Sequence, residues 1–554
     1  MHKKQFGILI MLVFLFPKFG TSQNIESKVD SLYQVNESEP GFSIAIFKGN
    51  EIILEKQYGN SNLDYNIPIT NETVFDIGSI AKQFTAAAIL LLEKEGKLSI
   101  KEPAYKYIDN LTRYKKGDPT IEQLLNQTSG IQEVDPYLFL LDLNWYDLLT
   151  QSQMINIITK QKELNFSPGE YFQYTNANYI LLANIIEKTS EKSFPDYLEK
   201  HIFLPLGMKS TTKKNSSYST IKNRAVGYIE DSGIFYKTDF KSTIYNGDGQ
   251  VLTSPRDMFK WHQNIKNATI GTSELWKKMH TKGKLNNGEE ISYGLGVEFE
   301  THKGYKAMGF DGMIQGGFVS KYLYFPELDI AFFTTQNIFD WDFRERFFQL
   351  VDLYIPKKES INSEFQSVDY KEIKLPKTEL KKYEGTYIFL GNEEESIKIN
   401  TIKLIRKKLI AFDSDGEEIS ELKPIGNQKF IFFSDKVIEF TINEKIKEYK
   451  FSHYPSDIEA PWVFKEYKPY NHTQSELKEF EGQYFNANFQ IGKKIKLENN
   501  ILYFYHRNGA WKTEIESVAK DILEIQNYPI ELVRYDNETI KGIKIMGLLF
   551  KKIK

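Results

Sequence analysis

Val74-Phe75-Asp76-Ile77-Gly78-Ser79-Ile80-Ala81-Lys82-Gln83-Phe84-Thr85-Ala86 decides how this chain is read. Apolar residues continue through Ala87-Ala88-Ile89-Leu90-Leu91-Leu92, so the segment predicts a helix that is apolar nearly all round and hence buried. It ends near Gly96, placed as a C′ residue after Glu93-Lys94-Glu95. Ser79 and Lys82 stand three residues apart, on one helical face, which brings an amine to a hydroxyl without help from distant chain. Apolar surroundings disfavour the charged amine, and a partly neutral lysine beside a serine is a base beside its nucleophile. Ser210, Ser219, Ser420, Ser475 and Ser517 also have a lysine three residues on. What separates Ser79 is the apolar helix behind it and the strand-like segments before it.

Working outward, Phe42-Ser43-Ile44-Ala45-Ile46-Phe47 and Glu51-Ile52-Ile53-Leu54-Glu55 read as strands joined by a turn at Lys48-Gly49-Asn50. Downstream, residues 120–127 look helical and run into the breaker Thr128-Ser129-Gly130, residues 142–164 are mixed helix, and residues 176–189 carry a helical apolar pattern. Another short helix begins near Phe194, and strands resume at 293–299, 306–310, 318–325 and 330–335. A helix-rich middle is thus bracketed by strands. In the loop before the 176–189 helix lies Gln173-Tyr174-Thr175-Asn176. A phenol at Tyr174 can relay a proton to a leaving group, and an amide at Asn176 can bind a substrate amide. Tyr58-Gly59-Asn60 and Tyr484-Phe485-Asn486 share that spacing, so without Ser79 the bland reading of Tyr174, a buried tyrosine with its hydroxyl satisfied, would be preferred.

A chain of 554 residues with 41% hydrophobic and 26% charged residues fits a globular protein of several domains, and 14% aromatics lean toward β-rich parts. Residues 1–22 carry Lys3 and Lys4, an apolar run from Phe6 to Phe16 and then Gly20-Thr21-Ser22, the pattern of a secretory signal peptide cleaved before Gln23. The run is too short to span a bilayer, so no integral span is expected after cleavage, and the mature chain is expected in the periplasm or outside the cell. There is no cysteine, which excludes disulfides, thiol catalysis, cysteine metal sites and a lipidated cysteine. Loss of Lys3, Lys4 and Lys18 makes the mature chain more acidic, and nothing in that balance points to nucleic acid.

Residues 357–376 turn polar and charged, as a linker would, and leave 23–356 as the catalytic domain. Beyond it Leu380-Lys381-Lys382-Tyr383-Glu384-Gly385-Thr386-Tyr387 recurs as Leu477-Lys478-Glu479-Phe480-Glu481-Gly482-Gln483-Tyr484, each followed by β-rich runs. Two diverged copies, over 377–470 and 471–554, are expected, each closing its own small sandwich or barrel and able to fold apart from the catalytic unit.

Together, residues 40–85, Gln123-Leu124-Leu125-Asn126-Gln127-Thr128-Ser129-Gly130, Tyr174-Thr175-Asn176, Leu204-Pro205-Leu206-Gly207-Met208, 247–257 and 317–327 resemble the serine β-lactamase-related family. That family includes class C β-lactamases, low-molecular-mass penicillin-binding proteins, D-aminopeptidases and esterases. The resemblance implies an α/β fold, a β-lactamase/transpeptidase-like antiparallel sheet flanked by helices with a helical subdomain. The tail resembles lipocalin-like modules more loosely. It also implies that Ser79 is acylated, Lys82 activates it, Tyr174 shuttles a proton and Asn176 positions substrate. The third motif departs from the family, which has Lys-Thr-Gly or His-x-Gly where this chain has Phe310-Asp311-Gly312-Met313. Phe310, or Asp311 if the register slips by one, stands in the place of the cation or imidazole. His302-Lys303-Gly304 matches the tripeptide literally but reads as a hairpin turn, and Lys306 lies roughly 13 Å along the strand from Phe310. An oxyanion hole from the backbone N–H groups of Ser79 and Met313 does not depend on side-chain identity.

The reading is an exported serine hydrolase acting on a small-molecule or peptide substrate, cell-wall derived among the options, with no cofactor and no metal implied. The alternative is a catalytically silent peptidoglycan- or peptide-binding protein using the same cleft, a reading that Phe310 favours. An α/β-hydrolase esterase would need a Gly-x-Ser-x-Gly pentapeptide, which the chain lacks.

Overall fold

The computed structural model describes residues 19–554 except 144–146, 148, 215, 217–218, 239–244, 315–316, 359–370, 392–396, 433–435, 444, 452–458, 527 and 554. Most of the expected signal segment and of the linker therefore lies outside the described residues. The described chain begins with a helix, Phe19–Tyr33, that runs through the expected cleavage point and packs Val29 and Tyr33 into the protein.

Six antiparallel strands form the main sheet, in the order Glu298–His302, Tyr305–Ile314, Phe318–Phe325, Ile330–Gln336, Phe42–Lys48, Glu51–Tyr58. The strand Phe42–Lys48 thus pairs with Ile330–Gln336, nearly three hundred residues on, Ile44 opposite Thr334. Alternation along the strands sorts side chains to two faces. Ile44, Ile46, Leu323, Phe325 and Phe332 pack under helices Phe19–Tyr33 and Phe343–Tyr354. Ala45, Phe47, Phe310, Tyr322 and Phe333 face the helical subdomain, where the fully buried helix residues Phe84, Ala88 and Leu92 sit. The helix that follows Ser79, Lys82–Lys94, is buried along nearly its whole length and stops before Gly96, whose φ of 71° is the left-handed turn expected there.

Two readings shift. The 293–299 segment becomes a strand only at Glu298, because Gly296 turns at φ 77° and passes so close to the helix Lys82–Lys94 that a Cβ on it would lie 2.8 Å from the Lys82 carbonyl oxygen. Of the mixed helix over 142–164, Gln151–Thr159 is helical among the described residues, and the neighbouring helix Asp135–Leu140 lies entirely before that stretch.

The tail forms two closed eight-stranded barrels, from Gly385–Phe389 to Trp462–Glu466 and from Gly482–Asn486 to Leu548–Lys552. This is the up-and-down architecture of lipocalin-like modules. The repeated motif has a mechanical reason. Tyr387 Oη donates to the Tyr383 carbonyl at 2.8 Å, and Tyr484 Oη to the Phe480 carbonyl at 2.7 Å. Glu384 accepts from Leu404 N and Glu481 from Leu497 N, so each copy pins its opening turn to its second strand. The barrels meet the N-terminal unit differently. The first has an apolar core of its own and touches through a backbone bridge between Phe172 and Glu459, whereas interior residues of the second join the apolar cluster of the N-terminal unit.

Candidate active site

Ser79 lies on a single 3-10 turn, Gly78–Ala81, that leads into the helix Lys82–Lys94. Gly78 has φ 53°, and a Cβ there would stand 2.8 Å from Met313 N, while a Cβ on Gly312 would stand 1.9 Å from the Ile77 carbonyl oxygen. Both positions need glycine, since the nucleophile turn and the strand Tyr305–Ile314 touch backbone to backbone. That contact brings Met313 N beside the Ser79 peptide. Gly78 N also donates to Asp76 Oδ1 at 3.1 Å, and burial pushes the Asp76 carboxyl up to about 6.

Lys82 Nζ donates to Ser79 Oγ at 3.0 Å, to Asn176 Oδ1 at 2.8 Å and to the Asp248 carbonyl at 2.9 Å. Tyr174 Oη donates to Ser79 Oγ at 2.9 Å. Lys82 is fully buried, and burial lowers its pKa to about 8 against the upward pull of the Asp248, Glu133, Glu298 and Asp135 carboxylates. Burial raises the Tyr174 phenol well above its usual value, so it stays protonated.

Other segments hold these groups in place. Thr175 caps the helix Asn176–Ser190 by accepting from Ala177 N. Gln127 Oε1 accepts from Thr175 N and Asn178 Nδ2, and its carbonyl accepts from Gln173 N, so the segment before Ser129-Gly130 clamps both sides of Tyr174. Two contributors went unassigned in the sequence reading. Buried Glu133 accepts from Asn176 N at 2.7 Å, and Asp248 offers its carbonyl to Lys82. The signal for Asp248 was its flanking glycines: a Cβ on Gly247 would lie 2.0 Å from the Tyr179 carbonyl oxygen, so the loop can press onto the helix only there. Nothing local marks Glu133, whose partner is far along the chain.

The third motif resolves by strand alternation. Phe310 is buried on the site face, with ring centroids 6.1 Å from Tyr174 and 5.8 Å from Tyr293. Asp311 points to the opposite face and pairs with Lys321 and Arg344, each at 2.6 Å, so the slipped register that made it a substrate-binding candidate does not occur. Gly312 serves the backbone contact, and the Met313 side chain is half-exposed and takes no part in that contact. His302 and Lys303 form the turn between strands Glu298–His302 and Tyr305–Ile314 and bind Asp352, which removes them as substitutes for the missing cation.

A serine hydroxyl held by both a buried lysine and a tyrosine can undergo acylation. Among curated relatives, a penicillin-binding protein of Bacillus subtilis is 29% identical over 295 residues, 50% of this chain and 63% of that protein. A D-aminopeptidase of Brucella canis is 27% identical over 293 residues, 53% of this chain and 55% of that protein. The chain therefore spans less than two thirds of either relative. Among solved structures, the octameric penicillin-binding protein homologue from Pyrococcus abyssi matches with a TM-score of 0.52 at 24% identity, covering 81% of this chain and 100% of that one. The penicillin-binding protein from Bacillus halodurans has a TM-score of 0.52 at 23% identity, over 61% and 100%. Those likenesses speak for the fold. Residues 23–353, which hold Ser79, Lys82, Tyr174, Asn176 and the Phe310 strand, match the family described as Beta-lactamase, and the chain belongs to that family.

Proposed function

We propose that this protein is an exported serine hydrolase acting by acyl transfer through Ser79 on an amide, peptide or ester. The observation that carries the reading is the pair of hydrogen bonds on Ser79 Oγ, one from Lys82 Nζ and one from Tyr174 Oη. Once neutral, Lys82 can keep donating to Asn176 Oδ1 and the Asp248 carbonyl and turn its lone pair to the Ser79 hydroxyl. Ser79 Oγ then attacks the substrate carbonyl carbon as its proton passes to Lys82. The backbone N–H groups of Ser79 and Met313 hold the oxyanion, and Tyr174 delivers a proton to the leaving group and regains one from the Lys82 ammonium, which restores the neutral base before deacylation. Asn176 Nδ2 is left to position the substrate. Water then hydrolyses the Ser79 ester.

Phe310 adds apolar wall where a cation would otherwise meet a substrate carboxylate, which supports uncharged acyl groups. The match to a D-aminopeptidase makes amides of D-amino acids the first class to try. Export rests on the residue 1–22 pattern, and no described helix is long and apolar enough to cross a membrane. Incubation of the mature protein with a fluorophosphonate, fluorescent penicillin and chromogenic esters, with the adduct located by mass spectrometry, tests the reading. A binding protein without turnover is the second reading, which Phe310 favours, and it requires that none of these leaves an adduct or product.

Activity should depend on pH through Lys82. Its neutral form is the base, so kcat/KM should rise with pH through about 8 and fall away below it as the ammonium forms. Tyr174, raised above 10.0, should add no falling limb below that pH. A profile that does not change across pH 8 would remove Lys82 from the base role.

Phe310→His should restore a donor beside the site. A charged hydrogen bond is worth about 1.5–3 kcal/mol, so activity on carboxylate-bearing substrates should gain roughly tenfold or more relative to neutral esters. The unaltered protein should turn over penicillins at well under ~10 per second. Penicillin turnover at ordinary enzyme rates would show that another group supplies the missing contact.

A further inference from the structure

Alternation in the second barrel places Lys493 and His506 at inward positions, after Ile491 on one strand and after Leu502 and Phe504 on the next. Both side chains are fully buried, and both reach one carboxylate, that of Asp142 in the N-terminal unit. Asp142 Oδ1 accepts from Lys493 Nζ and, at 2.9 Å, from His506 Nδ1, while Oδ2 accepts from Arg507 N at 2.9 Å. Arg507 Nε donates to the Asp142 carbonyl at 2.8 Å, and its guanidinium also pairs with Asp147. Aromatic packing surrounds the insertion. Trp511 stacks on His506 with centroids 3.6 Å apart, and Phe139 lies 5.0 Å from His506 and 5.6 Å from Tyr528.

The sister barrel is an internal control. In matching register, Tyr387 pairs with Asn400 where Tyr484 pairs with Lys493, and Asn400 donates to Tyr449 Oη within its own barrel. Among the described residues, only the copy with the inward lysine and histidine receives a carboxylate from the N-terminal unit. Barrel mouths are frequent ligand sites, and here the ligand position is taken by the protein's own chain.

The occupied segment leads straight to the proposed nucleophile. Asp142 follows the helix Asp135–Leu140, whose Tyr137, Leu138 and Leu140 are buried, and that helix follows Glu133, which holds Asn176 N. Asn176 in turn holds Lys82. We propose that the mouth of the second barrel is a carboxylate-binding site occupied by Asp142, and that by gripping it the barrel sets the position of the segment 133–142 and, through Glu133, of Asn176. Asp142 is then a positioning residue. The positioning half rests on the acyl-transfer reading, whereas the carboxylate site does not.

Asp142 has φ 58°, a left-handed conformation that Asp and Asn both tolerate, so Asp142→Asn removes the charge and leaves the backbone choice intact. In the full chain, hydrogen exchange of the amides of residues 137–142 should speed up by about tenfold or more while the strands of both barrels stay protected. The maximal rate of Ser79 modification by a fluorophosphonate should fall by about tenfold, with the half-saturating concentration little changed. Arg507→Ala should move both readouts in the same direction by less. Exchange within twofold of the unaltered protein overturns the carboxylate site, and an unchanged maximal rate overturns the positioning role. If the unaltered protein takes no fluorophosphonate, the acyl-transfer reading and the positioning role fail together, and exchange still decides the carboxylate site.

Discussion

Ser79→Ala should take up no covalent label and lose turnover by on the order of 10⁴-fold or more, because no other hydroxyl sits between Lys82 and Tyr174 among the described residues. Lys82→Met should keep the fold, since the replacement fills the fully buried position at similar length, at the cost of leaving Asn176 Oδ1 and the Asp248 carbonyl without their donor. It should still slow acylation by roughly 10²–10⁴-fold, the usual contribution of a positioned base. Mass spectrometry of labelled protein, read beside far-ultraviolet circular dichroism, checks both. Turnover of an ester by Ser79→Ala at the parent rate would move the chemistry elsewhere in the molecule.

Gly312→Ala should be the most damaging substitution outside the reacting groups. The new Cβ would meet the Ile77 carbonyl oxygen at 1.9 Å, and that neighbour is backbone, which cannot swing aside. Either the strand or the nucleophile turn must retreat. Overpacking of this kind costs about 1–3 kcal/mol, to be read from urea unfolding. The larger effect is on rate, because retreat separates Met313 N from Ser79, and a displacement of ~1 Å can cost ~10²-fold. An unchanged labelling rate in Gly312→Ala would show that the contact between turn and strand does not set the geometry of the site.

Much of this arrangement is legible in the residues. The apolar run behind Ser79 specifies a buried helix, and burial alone accounts for the lowered pKa of Lys82. The strands 318–325 and 330–335 are legible nearly to the residue because each is dense in aromatic and β-branched residues and the turn Pro326–Leu328 separates them. The segment 293–299 misled because its apolar residues pack against the helix start instead of pairing as a strand, a choice made by the left-handed Gly296. Glu133 was invisible because its function is to hold a backbone N–H that local sequence cannot place beside it.

By itself the sequence determined the local elements, the proximity of Ser79 to Lys82 and the existence of a twice-repeated β unit, since each depends on periodicity or on short spacing. Only the tertiary structure decided which face of the third-motif strand looks into the site, because a shift of one residue exchanges Phe310 for Asp311. It also decided that the second barrel shares an apolar cluster with the N-terminal unit. Lys493 and His506 read as ordinary polar residues until the closed barrel turns them inward, where a buried charge requires a partner and finds it in Asp142.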